Sequence, residues 1–213
     1  VYKLADETDY EMGTLAEPLA VAVHTLNHAT VKSGALAILG GGTIGQLALA
    51  FAKKKGYSPI IVTDTVPFNR EFAVKHGADA ALDPITEDVP ARVKELTDGR
   101  GADLAIIAAG ADNILDQACE CVHKCGEIGI VAMITKKIPF YCYAVVFNEI
   151  RVYGAMCYES GDFAEAMDLI NGGLDLGDYV THEMEEKEKT QEGLDILSQK
   201  KENVVKVLIK IAD

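Results

Sequence analysis

The sequence predicts an α/β chain wound on both sides of a parallel sheet, and three observations carry that expectation. Short apolar, β-branched runs alternate with helix-period segments from residue 35 to residue 154, which demands right-handed crossovers between parallel strands. A glycine cluster, "LGGGTIGQ", separates the first such run from its helix. An acidic residue, Asp64, closes the second run, nineteen residues after Gly45.

In chain order, "VYKLAD" reads as the tail of a strand already in progress, so the chain is expected to be cut ahead of Val1. "LAEPLAVAVHTL" follows, an almost wholly apolar stretch with one carboxylate, Glu17, directly before Pro18. Pro is tolerated in a first helical turn and negative charge is favoured there, so Glu17 can open a helix. It can equally be a metal ligand, and local physics does not choose. The expected strands are 35–39, 60–63, 80–82, 104–108, 128–131 and 150–154, with helices at 43–56, 67–76, 87–97 and 111–122. Ligands of such sheets sit at the carboxyl ends of the strands, where strand order reverses. Beyond Cys157 the rhythm changes to a helix at 163–171, a strand at 179–183, a charged helix at 187–200 and a strand at 204–211. In that last strand, alternation puts Val205, Val207, Ile209 and Ile211 on one face.

With 213 residues, 49% of them apolar and 25% charged, the chain can bury one generous core. Its net charge of −13 argues against nucleic acid and anionic membranes as partners and favours a small molecule. Five cysteines, an odd number, and no signal-peptide pattern point to a reducing cytoplasm. Residues 33–52 carry no charge, but glycines interrupt them, so they read as strand, turn and helix rather than a membrane span.

Gly40, Gly42 and Gly45 have G-x-G-x-x-G spacing, with Thr43 and Ile44 between the last two. The first glycine permits the turn, the second lets a pyrophosphate approach the backbone, and the third lets helix and strand pack closely. The helix then offers unpaired N–H groups and a positive dipole end to phosphate. In a dinucleotide site Asp64 would accept from the ribose hydroxyls and repel a 2′-phosphate, which selects NAD over NADP; the alternative is a glycine turn in a nucleotide-free doubly wound domain, with Asp64 capping the helix after it. Arg70 complicates that choice, since it stands where it could hold a 2′-phosphate or simply be a solvated helix charge.

Other clusters read as structural. "CECVHKC", Cys119 to Cys125, is expected to be a half-buried helix ending at Gly126 with its cysteines acting as small apolar residues. His24 and His28 share a helical stripe with Glu17, but His24 is roughly 10 Å from it along the axis at about 1.5 Å per residue, too far for one ion. His24 is expected to face the core or lie near the cofactor rather than act as a ligand. "HEMEEKEK" reads as a solvated connection.

"AEPLAVAVHTL", "GGGTIG", "IVTD", "FAVKHGADAALDP", "LTDGRGADLAIIAAGAD" and the ending "VTHEMEE" to "KVLIKI" together resemble the C-terminal, cofactor-binding half of the zinc-type medium-chain dehydrogenases, in the branch with sorbitol and threonine dehydrogenases. The resemblance covers essentially the whole chain. It implies a Rossmann domain at 19–157, preceded at 1–18 by the tail of a GroES-like catalytic domain and followed at 158–213 by a segment that returns to that domain. It also implies NAD as cofactor and zinc in the full-length enzyme, with Glu17 in or beside the zinc sphere. Ala109, Gly110, Val131 and Met133, with 155–157, would line the nicotinamide, and Lys206 would reach the pyrophosphate or remain a solvated strand lysine. The substrate implied is a secondary alcohol, or its ketone, of the polyol or amino-alcohol kind. Zinc would lower the alcohol's pKa and hydride would pass to the nicotinamide. A homodimer through the edge strand at 149–157, or a tetramer, is implied as well. The isolated chain is expected to bind NAD weakly or not at all and to turn over nothing. Two positions depart from the family: Asn69 stands where NAD-dependent relatives often carry a basic residue, and Cys157 where sorbitol dehydrogenases tend to have arginine.

Three rival readings are a zinc-free, NADP-dependent quinone or enoyl reductase of the same superfamily, a methyltransferase, and a non-catalytic binding module. Cofactor preference, S-adenosylmethionine binding and the residues ahead of Val1 separate them.

Overall fold

Runs of apolar residues without charge become the centre of a sheet. The computed structural model describes residues 1–199 and 203–211. In it β1 (Gly34–Leu39) and β4 (Ala102–Ile107) lie side by side, parallel, in register from Leu36↔Leu104 to Leu39↔Ile107. β2 (Tyr57–Thr63) and β3 (Ala80–Leu82) extend the sheet beyond β1, and β5 (Val122–Ile130) and β6 (Arg151–Gly154) extend it beyond β4. The order is β3-β2-β1-β4-β5-β6, all parallel. The chain therefore winds outward in two directions from β1 and β4, and a crevice must open over their carboxyl ends.

Helices cover both faces. A short α1 (Tyr10–Gly13) leads into α2 (Ala16–His28), which packs with α3 (Thr43–Lys55) and α8 (Ser160–Asn171) on one core, where Leu19, Val23, Phe51 and Ile170 are buried. Phe72 and Ala73 of α4 (Pro67–Lys75) join the same core. The opposite face is closed by α5 (Val89–Glu95) and α6 (Ile114–Cys121), burying Val93, Ala118 and Cys121 against Ala37, Leu39 and Ile107. Local signals set the helix ends. Pro67 opens α4 at its first position, the Asp88 carboxylate accepts from the Ala91 amide to cap α5, and Gly56 ends α3 in the left-handed conformation.

The helix expected through "CECVHKC" stops early. α6 ends at Cys121 and Val122 begins β5, pairing with Ala102 before the register shifts and resumes at Leu104↔Glu127. Within the shift, His123 Nε2 lies 2.9 Å from Asp103 Oδ1, and Cys125 takes φ 63°. Asp103 Oδ2 accepts from the Ala35 amide at 2.7 Å. Long-range partners on β1 and β4 thus override the helical period, and the four residues that looked like further helix form the irregular start of a strand. Cys119 and Cys121 are buried as expected, whereas Cys125 is exposed.

The buried Glu127 carboxylate, 3% exposed, ties β5 to the turn ahead of β1. It accepts from the amides of Thr30 (2.8 Å) and Val31 (3.3 Å), from the Thr30 hydroxyl, and from Arg151 Nη1 on β6 (3.2 Å). Burial by itself raises this carboxyl's pKa, but those donors outweigh it and hold the group below the ordinary carboxylate range.

At the start of the chain no strand forms among the described residues 1–9. The segment instead lies on α8, with the Ala5 amide donating to Asn171 Oδ1 (2.8 Å) and the Tyr2 hydroxyl to the Ser160 carbonyl (2.9 Å). At the other end, β7 (Val180–Met184) and β8 (Lys206–Ile209) pair in parallel as a separate two-stranded sheet, joined through α9 (Thr190–Gln199). Lys200, the expected end of that helix, lies outside the described residues. Val205 is buried as its alternation requires, but Ile211 is exposed. Between β5 and β6 stands α7 (Tyr143–Asn148), which packs on α6 and β5 and leaves Tyr143, Val146 and Phe147 exposed; β6 is an edge strand of the sheet. Among the described residues no helix is long and apolar enough to cross a membrane.

Candidate functional site

The crevice predicted by strand order is present as a cleft of about 480 Å³, bounded by the turn after β1, the ends of β2 and β4, and the C-terminal segment. Its floor is the glycine turn. Gly40 takes φ 116°, and a Cβ there would stand 2.8 Å from the Ala109 amide nitrogen, so only glycine lets β1 turn beside the end of β4. Gly45 has a different constraint: a Cβ would fall 1.9 Å from the Gly40 carbonyl oxygen, which holds α3 against the turn. Gly42 caps α3 without a side-chain hydrogen bond, and nothing lies within 4 Å of where its Cβ would be. Open space therefore faces the N-terminus of a thirteen-residue helix, the arrangement that accepts phosphate.

The end of the cleft beside β2 is tied together by side chains. Asp64 Oδ2 accepts from the Gly41 amide and Oδ1 from the Val66 amide, each at 2.8 Å. A carboxylate has about four acceptor sites, so both oxygens retain capacity toward the cleft. The Gln46 side-chain amide donates to the carbonyls of Gly41 (2.9 Å) and Asn69 (2.8 Å), fastening the turn to α4. On the far wall, the Thr43 hydroxyl donates to the Val205 carbonyl at 2.5 Å, which docks the C-terminal segment on the helix that faces the cleft.

Of the residues expected at a cofactor site, Gly40, Gly42, Thr43, Asp64, Ala109 and Gly110 come together in this one cleft. Gly45 is buried beneath the turn and Ile44 is half-buried on α3; neither is part of the wall. Val131 is half-buried with its amide donating to the Ile107 carbonyl (3.0 Å), and Met133 is exposed beyond it. Lys206 is half-buried at the start of β8; its neighbour Val205, not Lys206, lines the cleft. Glu17 is exposed in the first turn of α2 and outside the wall. The helix around it starts at Ala16, one residue before the carboxylate, with Pro18 still within the first turn, where no amide hydrogen bond is lost.

His24 is buried, with Nδ1 2.7 Å from Asp162 Oδ2, so it faces the core as expected. Among the described residues no three His, Cys, Asp or Glu side chains are grouped to hold a metal ion. Arg70 is neither solvated nor free: Nη1 donates to the Asp64 carbonyl (2.7 Å) and Nη2 lies 3.3 Å from Asp83 Oδ2. Asn113, Gln117 and Val205 also line the cleft and Gln46 braces its turn, and sequence reasoning missed all four. The one available signal was the alternation that demanded a partner for the face of Val205.

The chain has measurable relatives. A family profile described as zinc-binding dehydrogenase matches residues 43–172. The L-threonine 3-dehydrogenase of Pyrococcus abyssi is 30% identical, aligned over 99% of this chain and 61% of that protein. The sorbitol dehydrogenase of Bacillus subtilis is 29% identical over 98% of this chain and 60% of its own length. The crystal structure of 2R,3R-butanediol dehydrogenase from Bacillus subtilis matches with a TM-score of 0.91 at 30% identity, covering 99% of this chain and 60% of that one. The chain spans about three fifths of the length of the relatives it matches.

Proposed function

The chain belongs to the zinc-binding dehydrogenase family, and we propose that it supplies the NAD-holding part of an enzyme that oxidises a secondary alcohol of a polyol or amino alcohol. The observation that carries this reading is the joining of three features in one cleft: an open glycine at a helix N-terminus, a carboxylate at the end of β2, and small residues at the end of β4. NAD, when bound, supplies the hydride acceptor. The residues of this chain bind and orient it.

In this reading Asp64 accepts from the ribose hydroxyls with the lone pairs left free by Gly41 and Val66. Gly42, Thr43 and Ile44 present the first amides of α3 to the pyrophosphate, with Gly40 and Gly45 shaping the turn, and Lys206 adds positive charge from the C-terminal side. Ala109 and Gly110, followed by Val131 and Met133, give the nicotinamide a surface without bulky or charged side chains. A carboxylate at the ribose and a tightly tied turn favour NAD over NADP. Zinc stands apart: the described residues hold no ligand set, so Glu17 would join a metal only beside ligands from another part of the full-length enzyme.

In the full-length protein, Asp64→Ala is expected to weaken NAD binding by about ten- to a hundredfold, the scale of one or two charge-assisted hydrogen bonds. Titration of NAD by fluorescence checks this, and unchanged affinity would remove Asp64 from the site. The isolated 213-residue chain is expected to turn over no alcohol; zinc-dependent oxidation by it would contradict the division of labour proposed here.

A further inference from the structure

We infer that Asp83 is a specificity-determining residue: by holding the Arg70 guanidinium behind the cleft wall, it denies a cation to the 2′-phosphate of NADP. The inference rests on the cofactor reading above and deepens it.

An arginine a few residues past the ribose-binding carboxylate has the planar, two-pronged donor set that suits phosphate. Arg70 follows Asn69, which lines the cleft, and its guanidinium touches the backbone of Asp64, which also lines it. The charge is thus within a residue of the adenosine end. Asp83 claims it. The two side chains are 20% and 22% exposed, so the pair is largely shielded from water. Asp83 is itself fixed, since Oδ1 accepts from the Ile85 amide (2.9 Å) and its own amide donates to Glu87 Oε1 (2.7 Å). Pro84 and Ile85, the next two residues, belong to the cleft wall. The carboxylate is therefore a rigid anchor just outside the site, and the guanidinium bridges the end of β2 to the end of β3.

A 2′-phosphate entering this cleft meets the Asp64 carboxylate while the nearest guanidinium is committed elsewhere. Neutralising Asp83 leaves Arg70 its bond to the Asp64 carbonyl and frees the other prong. Asp83→Asn keeps the shape of the side chain and an oxygen for the Ile85 amide, so the loop is retained while the ion pair is lost.

The test measures NAD and NADP affinity by titration of the full-length protein, its Asp83→Asn and Asp83→Ser variants, and the Arg70→Met/Asp83→Asn double variant, each checked for folding by its melting temperature. Asp83→Asn is expected to tighten NADP binding by about tenfold, the scale of one charge-assisted hydrogen bond. NAD binding is expected to change by less than about threefold, because no bond to the ribose hydroxyls is altered. The double variant should return NADP to the parent value. A purely structural pair would lower the melting temperature and leave the ratio of the two affinities unmoved, which overturns the inference; if Asp83→Asn does not fold, Asp83→Ser decides by the same ratio. A gain that survives in the double variant also overturns it. Failure of the parent protein to bind NAD is a separate outcome, which removes the cofactor reading and this inference together.

Discussion

The two ends of the sheet's upper rim are built differently. At the β1–β2–β3 end, side chains brace the backbone: Asp64 holds the glycine turn, Gln46 joins the turn to α4, and Arg70 links β2 to Asp83. At the β5–β6 end, α7 and the residues before it expose Tyr141, Tyr143, Val146 and Phe147, the edge strand exposes Val152, and the segment after that strand exposes Met156. Tyr143 and Phe147 stack on each other with centroids 5.8 Å apart. The first end is organised by hydrogen bonds internal to the chain. The second presents an apolar surface of the kind that marks an interaction site, next to an unpaired edge. We propose that β6 and α7 form the homodimer contact, whereas the cleft at the opposite end is walled by residues of one chain.

Three changes bear on that contrast. The largest effect is expected from Gly45→Ala, where the new Cβ would sit 1.9 Å from a backbone oxygen at the centre of the organised end. A cost of about 3 kcal/mol, the upper range for overpacking, should lower the melting temperature by roughly 6–12 °C. A variant that melts with the parent would show that the turn is softer than its geometry.

Next comes Glu127→Ala, which removes the acceptor of four hydrogen bonds at the foot of the sheet. About 2–3 kcal/mol should be lost in urea denaturation. The pH dependence has a definite sign. Because the folded pKa of Glu127 lies below its unfolded value, its contribution is full above the ordinary carboxylate pKa of about 4 and fades as pH falls through the lower folded value. Asp162 behaves likewise: burial opposes its charge, but donors at the Glu159 amide, His24 and Asn27 prevail and its pKa is lowered. The parent should therefore lose stability on acidification below about pH 4, and Glu127→Gln should lose less over the same interval. Equal slopes would exclude Glu127 as a source.

The smallest stability effect belongs to the exposed end. Val146→Ser with Phe147→Ser should alter the stability of the monomer by no more than about 0.5 kcal/mol, as exposed side chains do. The same variant should reduce the mass seen by light scattering if α7 forms a dimer contact. An unchanged mass would move that contact elsewhere.

Much of this site is legible in the sequence. The fingerprint glycines Gly40 and Gly42 and the acid Asp64 meet as their spacing demands, since a strand, a tight turn and a helix place them through local geometry alone. The helix predicted to Gly126 was not legible, because the end of α6 is set by β-pairing of Val122 with Ala102 and by the reach of His123 to Asp103. Nor was the partner of Arg70. A positive charge six residues past Asp64 reads as a solvated helix charge ahead of a phosphate ligand, and nothing in the sequence hints that Asp83 stands beside it.

By itself, then, the sequence determined the features carried by neighbours along the chain: periodicity, turn chemistry, the polarity of each strand, and the identity of the residues at the carboxyl ends of β1 and β2. Tertiary structure alone decided which distant groups neutralise one another, as Glu127 with Thr30 and Arg151, Asp83 with Arg70, and Val205 with Thr43. The reason is physical. Backbone geometry has a short memory along the chain, while a buried charge or donor takes its partner from whatever residue the fold brings within hydrogen-bond reach.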